Sequence, residues 1–111
     1  MARLIGRMDE LRDGEARAFG PFDGSRVKAF AVRRDGRLYA YWDACPHYGG
    51  TPMAWRTNAY LNADGDRIVC ASHGAEFEIE TGRCVYGAAL GRSLEPALIE
   101  ATPDGAIVLK R

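Results

Sequence analysis

The chain has 111 residues, about the size of one domain with a single modest core. Fifteen basic and fifteen acidic residues cancel to zero net charge, which argues against nucleic-acid binding and against a disordered acidic tail. Three cysteines are an odd number for a disulfide framework and favour metal ligands or free thiols in a reducing compartment. The N-terminus is charged where a signal peptide needs an apolar segment, and no apolar run approaches the roughly 20 residues that span a bilayer. We therefore expect a soluble, cytoplasmic protein.

The first part of the chain has the pattern of short strands joined by turns. Residues 9–14 are polar and indicate a turn or one helical turn, and residues 21–24 combine Pro with Asp-Gly, which is typical of a turn. Asp35-Gly36 predicts a two-residue type I′ hairpin, because that turn needs positive φ at both positions. Strands are predicted at residues 4–8 (an edge strand), 15–19, 26–34 and 37–42.

The remainder of the chain continues this pattern. Residues 53–66 form an irregular excursion closed by Asp64-Gly65-Asp66, and residues 87–91 are a small-residue loop. A closing hairpin is expected around Pro103-Asp104-Gly105. Strands are predicted at residues 67–69, 76–79, 84–86, 97–101 and 106–109. No 3.6-residue periodicity is long enough for a full helix, so the sequence predicts one all-β domain.

Two short motifs carry the chemistry of the chain. Cys45-Pro46-His47 and Cys70 with His73 each offer one thiol and one imidazole, a donor set that suits a metal centre. A tetrahedral zinc site is one interpretation, although common zinc modules pair Cys with Cys and His with His. The other is a Rieske [2Fe–2S] centre, in which two cysteines bind one iron and two histidines bind the other.

These motifs resemble the Rieske family, most closely the small bacterial Rieske-type ferredoxins that serve oxygenases. The resemblance rests on Cys45-Pro46-His47 with Gly49, and on Cys70, His73 and Gly74 with Phe77 and Thr81-Gly82 beyond them. It implies one Rieske-type [2Fe–2S] cluster, with Cys45 and Cys70 on the buried iron and His47 and His73 on the outer iron. The implied fold is the Rieske fold, an antiparallel β-sheet sandwich. Its basal part would span about residues 1–42 and 87–111, and an inserted cluster-binding subdomain of two hairpin loops would span about 43–86.

The function implied by this resemblance is one-electron transfer rather than catalysis. A flavin- or iron–sulfur-containing reductase would load the cluster, and the protein, expected to be a monomer, would dock transiently on a terminal oxygenase (aromatic-ring or related) through the His47/His73 tip. No nucleic acid or membrane is expected as a partner. Two alternatives stay open: a small Rieske subunit of a nitrite-reductase-like or other stable redox complex, and a zinc-stabilised β domain without redox function.

The residues around the ligands predict a low reduction potential for a Rieske protein. Two histidines in place of two thiolates leave the oxidised cluster neutral, which raises the potential into a band of about −150 to +300 mV. High-potential family members have disulfide cysteines at the positions of Gly50 and Ser72 and a hydroxyl residue at the position of Ala75. This chain lacks both the disulfide and the hydroxyl donor, so the resemblance implies the low end of the band. It departs from the family pattern at residues 48–51 and at Gly87-Ala88, and neither departure touches a ligand.

Several other residues are interpreted as structural. Cys84 follows a turn on a β segment and is predicted to be a small core residue. The acidic Glu76, Glu78 and Glu80 are read as a solvated strand face. Aromatic residues near the ligands are predicted to pack, namely Trp42, Trp55, Tyr60 and Phe77, and Tyr48 is the best candidate for contact with a redox partner.

Overall fold

A computed structural model describes residues 2–22, 28–44, 58–71, 74–87 and 89–110. Within these ranges the chain forms nine short strands and one 3₁₀ turn, Met8–Glu10, which lies in the predicted turn region. The all-β fold class expected from the sequence is confirmed. The strands are β1 (Ala2–Arg7), β2 (Ala16–Phe19), β3 (Ala29–Arg34), β4 (Arg37–Trp42), β5 (Arg67–Val69), β6 (Glu76–Glu78), β7 (Cys84–Tyr86), β8 (Ile99–Ala101) and β9 (Ala106–Lys110).

The nine strands pair into three antiparallel sheets of three strands each. The closing sheet has the order β1-β9-β8, the middle sheet β2-β3-β4 and the distal sheet β5-β6-β7. In this order β1 pairs with β9 alone and is an edge strand, as the sequence predicts. The register places Ala2 opposite Lys110. The distal sheet is drawn entirely from the region between Arg67 and Tyr86 that contains the second motif.

The hairpin between β3 and β4 is the turn expected from its sequence. Asp35 has φ of 53° and Gly36 has φ of 76°, and Arg34 pairs with Arg37 across the turn. Positive φ at both central positions is the property of a type I′ turn, whose twist matches that of the flanking strands. This hairpin directs the end of β4 towards the first motif.

The middle sheet is buried on both faces. Phe30 and Val32 belong to one core, which they share with the distal sheet, whereas Ala29 and Ala31 belong to the other core, which includes residues of the closing sheet. All four side chains are fully buried. The alternation of β3 therefore places its large residues in the core that contains Cys70 and its small residues in the core that includes the closing sheet.

Three predicted strands, 15–19, 76–79 and 97–101, are shorter in the structure. The last begins only at Ile99, and the amide of Ala97 before it donates to Ala40 O in the middle sheet at 3.0 Å. The predicted strand 76–79 ends at Glu78, where a turn begins in which the amide of Gly82 donates to Glu78 O at 2.8 Å, and the carbonyl of Ile79 accepts the Tyr41 hydroxyl at 2.6 Å. Part of the predicted strand 26–34 lies outside the described residues.

Among the residues that the structure describes, no helix is long and apolar enough to cross a bilayer.

Candidate metal centre

One of the four predicted ligands, Cys70, lies in the described part of the chain. Cys45, His47 and His73 fall outside the described residues, as do Tyr48 and Trp55. The site is therefore described from Cys70 and from the segments that lead into and out of the two motifs.

Cys70 stands at the start of the hairpin loop that joins β5 to β6. Its amide donates to Ala75 O at 2.9 Å, which extends the strand ladder by one step. The amide of Gly74 donates back to Cys70 O at 2.8 Å, and Gly74 has φ of 71°, a left-handed conformation that glycine adopts without a steric cost. The second motif thus occupies a tight hairpin loop, as predicted.

The side chain of Cys70 is fully buried and is not in a disulfide. A bound metal would hold such a thiol as a thiolate, since a coordinating thiol is deprotonated by the metal itself. The burial of Cys70 therefore fits a thiolate ligand.

Cys84 belongs to the same buried core cluster as Cys70 but differs in the contact of its thiol. It is 4% exposed within β7, and its thiol donates to Tyr86 O at 3.3 Å in the same strand. It packs in the core that β3 shares with the distal sheet. The prediction that Cys84 is a core residue is confirmed.

The segment that leads into the first motif is held by backbone bonds. The amide of Trp42 donates to Glu95 O at 2.9 Å, and the amide of Asp43 donates to Lys28 O at 2.8 Å. Asp43, two residues before Cys45, is the single buried charged residue in the described part of the chain. The entry to the first motif is therefore fixed to the body of the protein.

Tyr60 lies beside this entry. Its hydroxyl donates to Asp43 Oδ2 at 2.9 Å, and its ring stacks on Phe30 with a centroid distance of 4.2 Å and an interplanar angle of 7°. Burial and the neighbouring Asp43 carboxylate raise the pKa of Tyr60 above its ordinary value, which keeps the hydroxyl protonated as a donor. The predicted packing of Tyr60 is confirmed, whereas its bond to Asp43 was not predicted, because no local pattern in the sequence links the two residues.

The loop after β7 contacts the second motif. A Cβ at Gly87 would lie 2.9 Å from the Cα of Ala75, so the two backbones are in close contact. Gly87 has φ of 96°, and the amide of Leu90 donates to Gly87 O at 3.3 Å. This loop, predicted at residues 87–91, covers the residue that follows His73-Gly74.

The remaining predictions near the site concern packing and surface charge. Phe77 is fully buried, as predicted for an aromatic residue that packs. The acidic residues of β6 and the following turn face arginines, as on a solvated strand face. The pairs are Arg67–Glu76 at 3.0 Å, Arg83–Glu78 at 3.5 Å and Arg34–Glu80 at 3.9 Å.

Comparison with known proteins gives matches over most of the chain. The sequence pattern of the Rieske [2Fe-2S] domain family matches residues 3–100. The ferredoxin component of an alkene monooxygenase system from Xanthobacter autotrophicus is 30% identical over 76 residues, which are 68% of this chain and 56% of that protein. This chain thus matches little more than half the length of that relative.

Solved structures show the same fold at lower identity. A ferredoxin of Sphingomonas yanoikuyae B1 superposes with a TM-score of 0.73 at 19% identity and covers 100% of this chain and 99% of its own. A chain in a complex of reduced oxygenase and oxidized ferredoxin of carbazole 1,9a-dioxygenase gives a TM-score of 0.73 at 22% identity, over 97% of this chain and 92% of its own. The sandwich of three small sheets is thus the fold of Rieske ferredoxins.

The family pattern over residues 3–100 favours an iron–sulfur cluster over the zinc alternative. The buried thiol of Cys70 in a hairpin loop is compatible with that cluster. The chain belongs to the Rieske [2Fe-2S] domain family, and its cofactor is a Rieske-type [2Fe–2S] cluster.

Proposed function

We propose that this chain is a one-electron carrier that receives electrons from a flavin- or iron–sulfur-containing reductase and delivers them to a terminal oxygenase. The observation that carries the proposal is its 30% identity to the ferredoxin component of an alkene monooxygenase system. The protein would have no catalytic activity of its own and would act in the cytoplasm as a monomer. The oxygenase would act on an alkene, an aromatic ring or a related hydrocarbon.

The proposed ligands are Cys45, His47, Cys70 and His73. A Rieske centre takes two thiolates and two imidazoles, and the chain has three cysteines and two histidines. Cys45 and Cys70 each stand in a motif with a histidine, whereas Cys84 stands in no such motif and its thiol bonds to a strand carbonyl. The donor set of this chain therefore fits the cluster.

When bound, the cluster supplies a site that takes up and gives back one electron. The protein supplies its surroundings: a buried thiol at Cys70, a loop turned by Gly74 and a cover from the loop at Gly87. Ala75 offers no hydroxyl next to the second motif, which supports a potential at the low end of the Rieske range. Residues about 43–86 would form the cluster-binding part, and residues about 1–42 and 87–111 the basal part.

The partners would dock at the tip formed by His47 and His73. Electron transfer between proteins needs the cofactor near the contacting surface, and the histidine-bound iron would be the more exposed one. Such redox encounters bury little surface and dissociate quickly, so a carrier is not expected to co-purify tightly with its oxygenase. A complex stable through gel filtration would instead favour the alternative of a fixed redox subunit.

The test compares Cys70→Ser with Cys84→Ser. Both cysteines are buried and free, so loss of a buried thiol as such affects the two variants alike. We expect Cys70→Ser to lose the visible absorption, the iron and sulfide content and the EPR signal of the dithionite-reduced protein. Cys84→Ser should keep them, and the loaded protein should reduce an oxygenase when a reductase and NADH are supplied.

Two results would contradict the proposal. A colourless wild-type protein with one zinc per chain would remove the redox function. A Cys70→Ser variant with a full cluster would leave the cluster in place but overturn the ligand set.

A further inference from the structure

Tyr60 contacts the segments that lead into both motifs. Its hydroxyl donates to the Asp43 carboxylate at 2.9 Å, and Asp43 is two residues before Cys45. Its carbonyl oxygen accepts the amide of Val69 at 2.8 Å, and Val69 directly precedes Cys70. One residue therefore joins the approaches to the two cysteines, which are far apart in the sequence.

The contact is built into the core. Tyr60 is 2% exposed and Asp43 is 8% exposed. A hydrogen bond to a buried carboxylate is in general stronger than one between neutral groups, and the low local dielectric strengthens it further. The stacking on Phe30 fixes the ring, so the hydroxyl holds a defined position relative to β3.

Chain geometry limits how far this position can be from the ligand. Two residues of extended chain span at most about 7 Å, so the position of Asp43 limits the positions open to Cys45. The backbone amide of Asp43 donates to Lys28 O and its carboxylate accepts the Tyr60 hydroxyl, so both parts of this residue are bonded to the body of the protein. At the second motif, Val69 is bonded to the Tyr60 carbonyl and directly precedes Cys70, so the position of Val69 limits that of Cys70.

We propose that Tyr60 is a positioning residue that sets the spacing between the Cys45 and Cys70 segments and thereby the fit of both loops to the cluster. The inference rests on the proposed ligand set. It assigns to the hydroxyl a role beyond the packing of the ring.

The test is Tyr60→Phe, with Tyr41→Phe as the matched control. Tyr41 is also buried, its hydroxyl also makes one buried hydrogen bond, to Ile79 O, and its ring also contacts Phe30. Neither variant removes an aromatic ring. We expect Tyr60→Phe to lose cluster absorbance to a chelator roughly ten times faster than the wild type, the size of effect seen when a partner of a metal ligand is removed. Its reduced EPR signal should be broadened by a spread of ligand geometries, whereas Tyr41→Phe should match the wild type in both measurements.

Variants of Asp43 provide the second measurement. Asp43→Asn keeps an oxygen that accepts from Tyr60 and should keep at least half of the wild-type resistance to the chelator, whereas Asp43→Ala should resemble Tyr60→Phe. The double variant Tyr60→Phe/Asp43→Ala should be no worse than Asp43→Ala alone, because both changes remove the same contact.

The outcomes separate the two proposals. A wild-type protein without the cluster spectrum would refute the ligand set. A wild-type protein with the spectrum, but with Tyr60→Phe and Tyr41→Phe equally stable to the chelator, would overturn the role of Tyr60 alone. Additive effects in the double variant would overturn it as well.

Discussion

At the scale of single residues, Gly87 and Gly91 separate two properties of glycine. Both have positive φ, 96° and 88°. A Cβ at Gly87 would meet the Cα of Ala75 at 2.9 Å, whereas a Cβ at Gly91 would meet nothing within 4 Å. Gly91 thus requires glycine only for its backbone conformation, and Gly87 also for the close contact with the second motif.

This difference predicts unequal effects of alanine at the two positions. Gly91→Ala should lower the free energy of unfolding by about 1 kcal/mol, the cost of a left-handed conformation for a residue with a Cβ. Gly87→Ala should lower it by roughly 2–4 kcal/mol, because the clash with backbone atoms adds to that cost. Chemical denaturation measures both. Equal losses would show that the contact with Ala75 has no energetic weight.

The core position of Cys84 and the bond between Tyr60 and Asp43 differ in how far the sequence predicts them. The core position of Cys84 could be predicted in advance, because this cysteine follows a turn on a β segment and stands outside the two motifs. The bond between Tyr60 and Asp43 could not be predicted, because it joins residues 17 positions apart whose proximity depends on the packing of the distal sheet on the middle sheet. Local spacing contains no information on such a contact.

At the scale of elements, Asn58 caps the exposed edge of the middle sheet. Its side-chain Oδ1 accepts the amide of Ala18 in β2 at 2.7 Å, across 40 positions of sequence. Its φ is 62°, a left-handed conformation that asparagine tolerates better than most residues. Through this bond Asn58 connects the segment that follows the first motif in the sequence to the edge strand β2.

Replacement of Asn58 should weaken this connection in two steps. Asn58→Gly keeps the backbone conformation but removes the acceptor, with an expected loss of about 1 kcal/mol. Asn58→Ala removes the acceptor and also disfavours the left-handed backbone conformation, so the free energy of unfolding should fall by about 1 kcal/mol more. Hydrogen exchange at the Ala18 amide reports the contact directly and should be faster in both variants. Unchanged protection of that amide would show that the side chain of Asn58 does not hold the edge.

Strand positions were predictable because their signals are local, whereas strand ends were not. Apolar alternation locates β3, β4 and β9, and Asp35-Gly36 locates the first hairpin. Just before β8 the amide of Ala97 donates to Ala40 O, and just after β6 the carbonyl of Ile79 accepts the Tyr41 hydroxyl. These partners lie in another sheet, and the sequence does not reveal how the sheets pack.

At the scale of the whole molecule, two buried tyrosines make stability depend on pH at the alkaline end. Burial, with a smaller effect of the nearby Glu80 carboxylate, raises the pKa of Tyr41 from 10.0 to about 12. Burial raises the pKa of Tyr60 as well. Because the unfolded chain releases these protons first, the stability that each neutral tyrosine contributes is complete below pH 10 and is lost as the pH rises towards 12.

The free energy of unfolding should therefore decrease between about pH 9 and pH 11, by about 1 kcal/mol for each tyrosine. Denaturant titrations at the two pH values measure this decrease. Tyr41→Phe removes one of the two groups and should show a smaller decrease than the wild type. The same decrease in the variant would mean that Tyr41 titrates equally in the folded and unfolded states.

The pairing of Ala2 with Lys110 has a mechanical consequence. A force that pulls these two residues apart acts across the β1–β9 ladder at its end, so it breaks the hydrogen bonds one after another rather than all at once. The closing sheet would open at low force, and the tension would then reach β8 from one end of the chain and the 3₁₀ turn and β2 from the other. The distal sheet would be loaded later, since β1 to β4 precede it and β8 and β9 follow it in the chain. Under tension the protein would yield first at the end remote from Cys70.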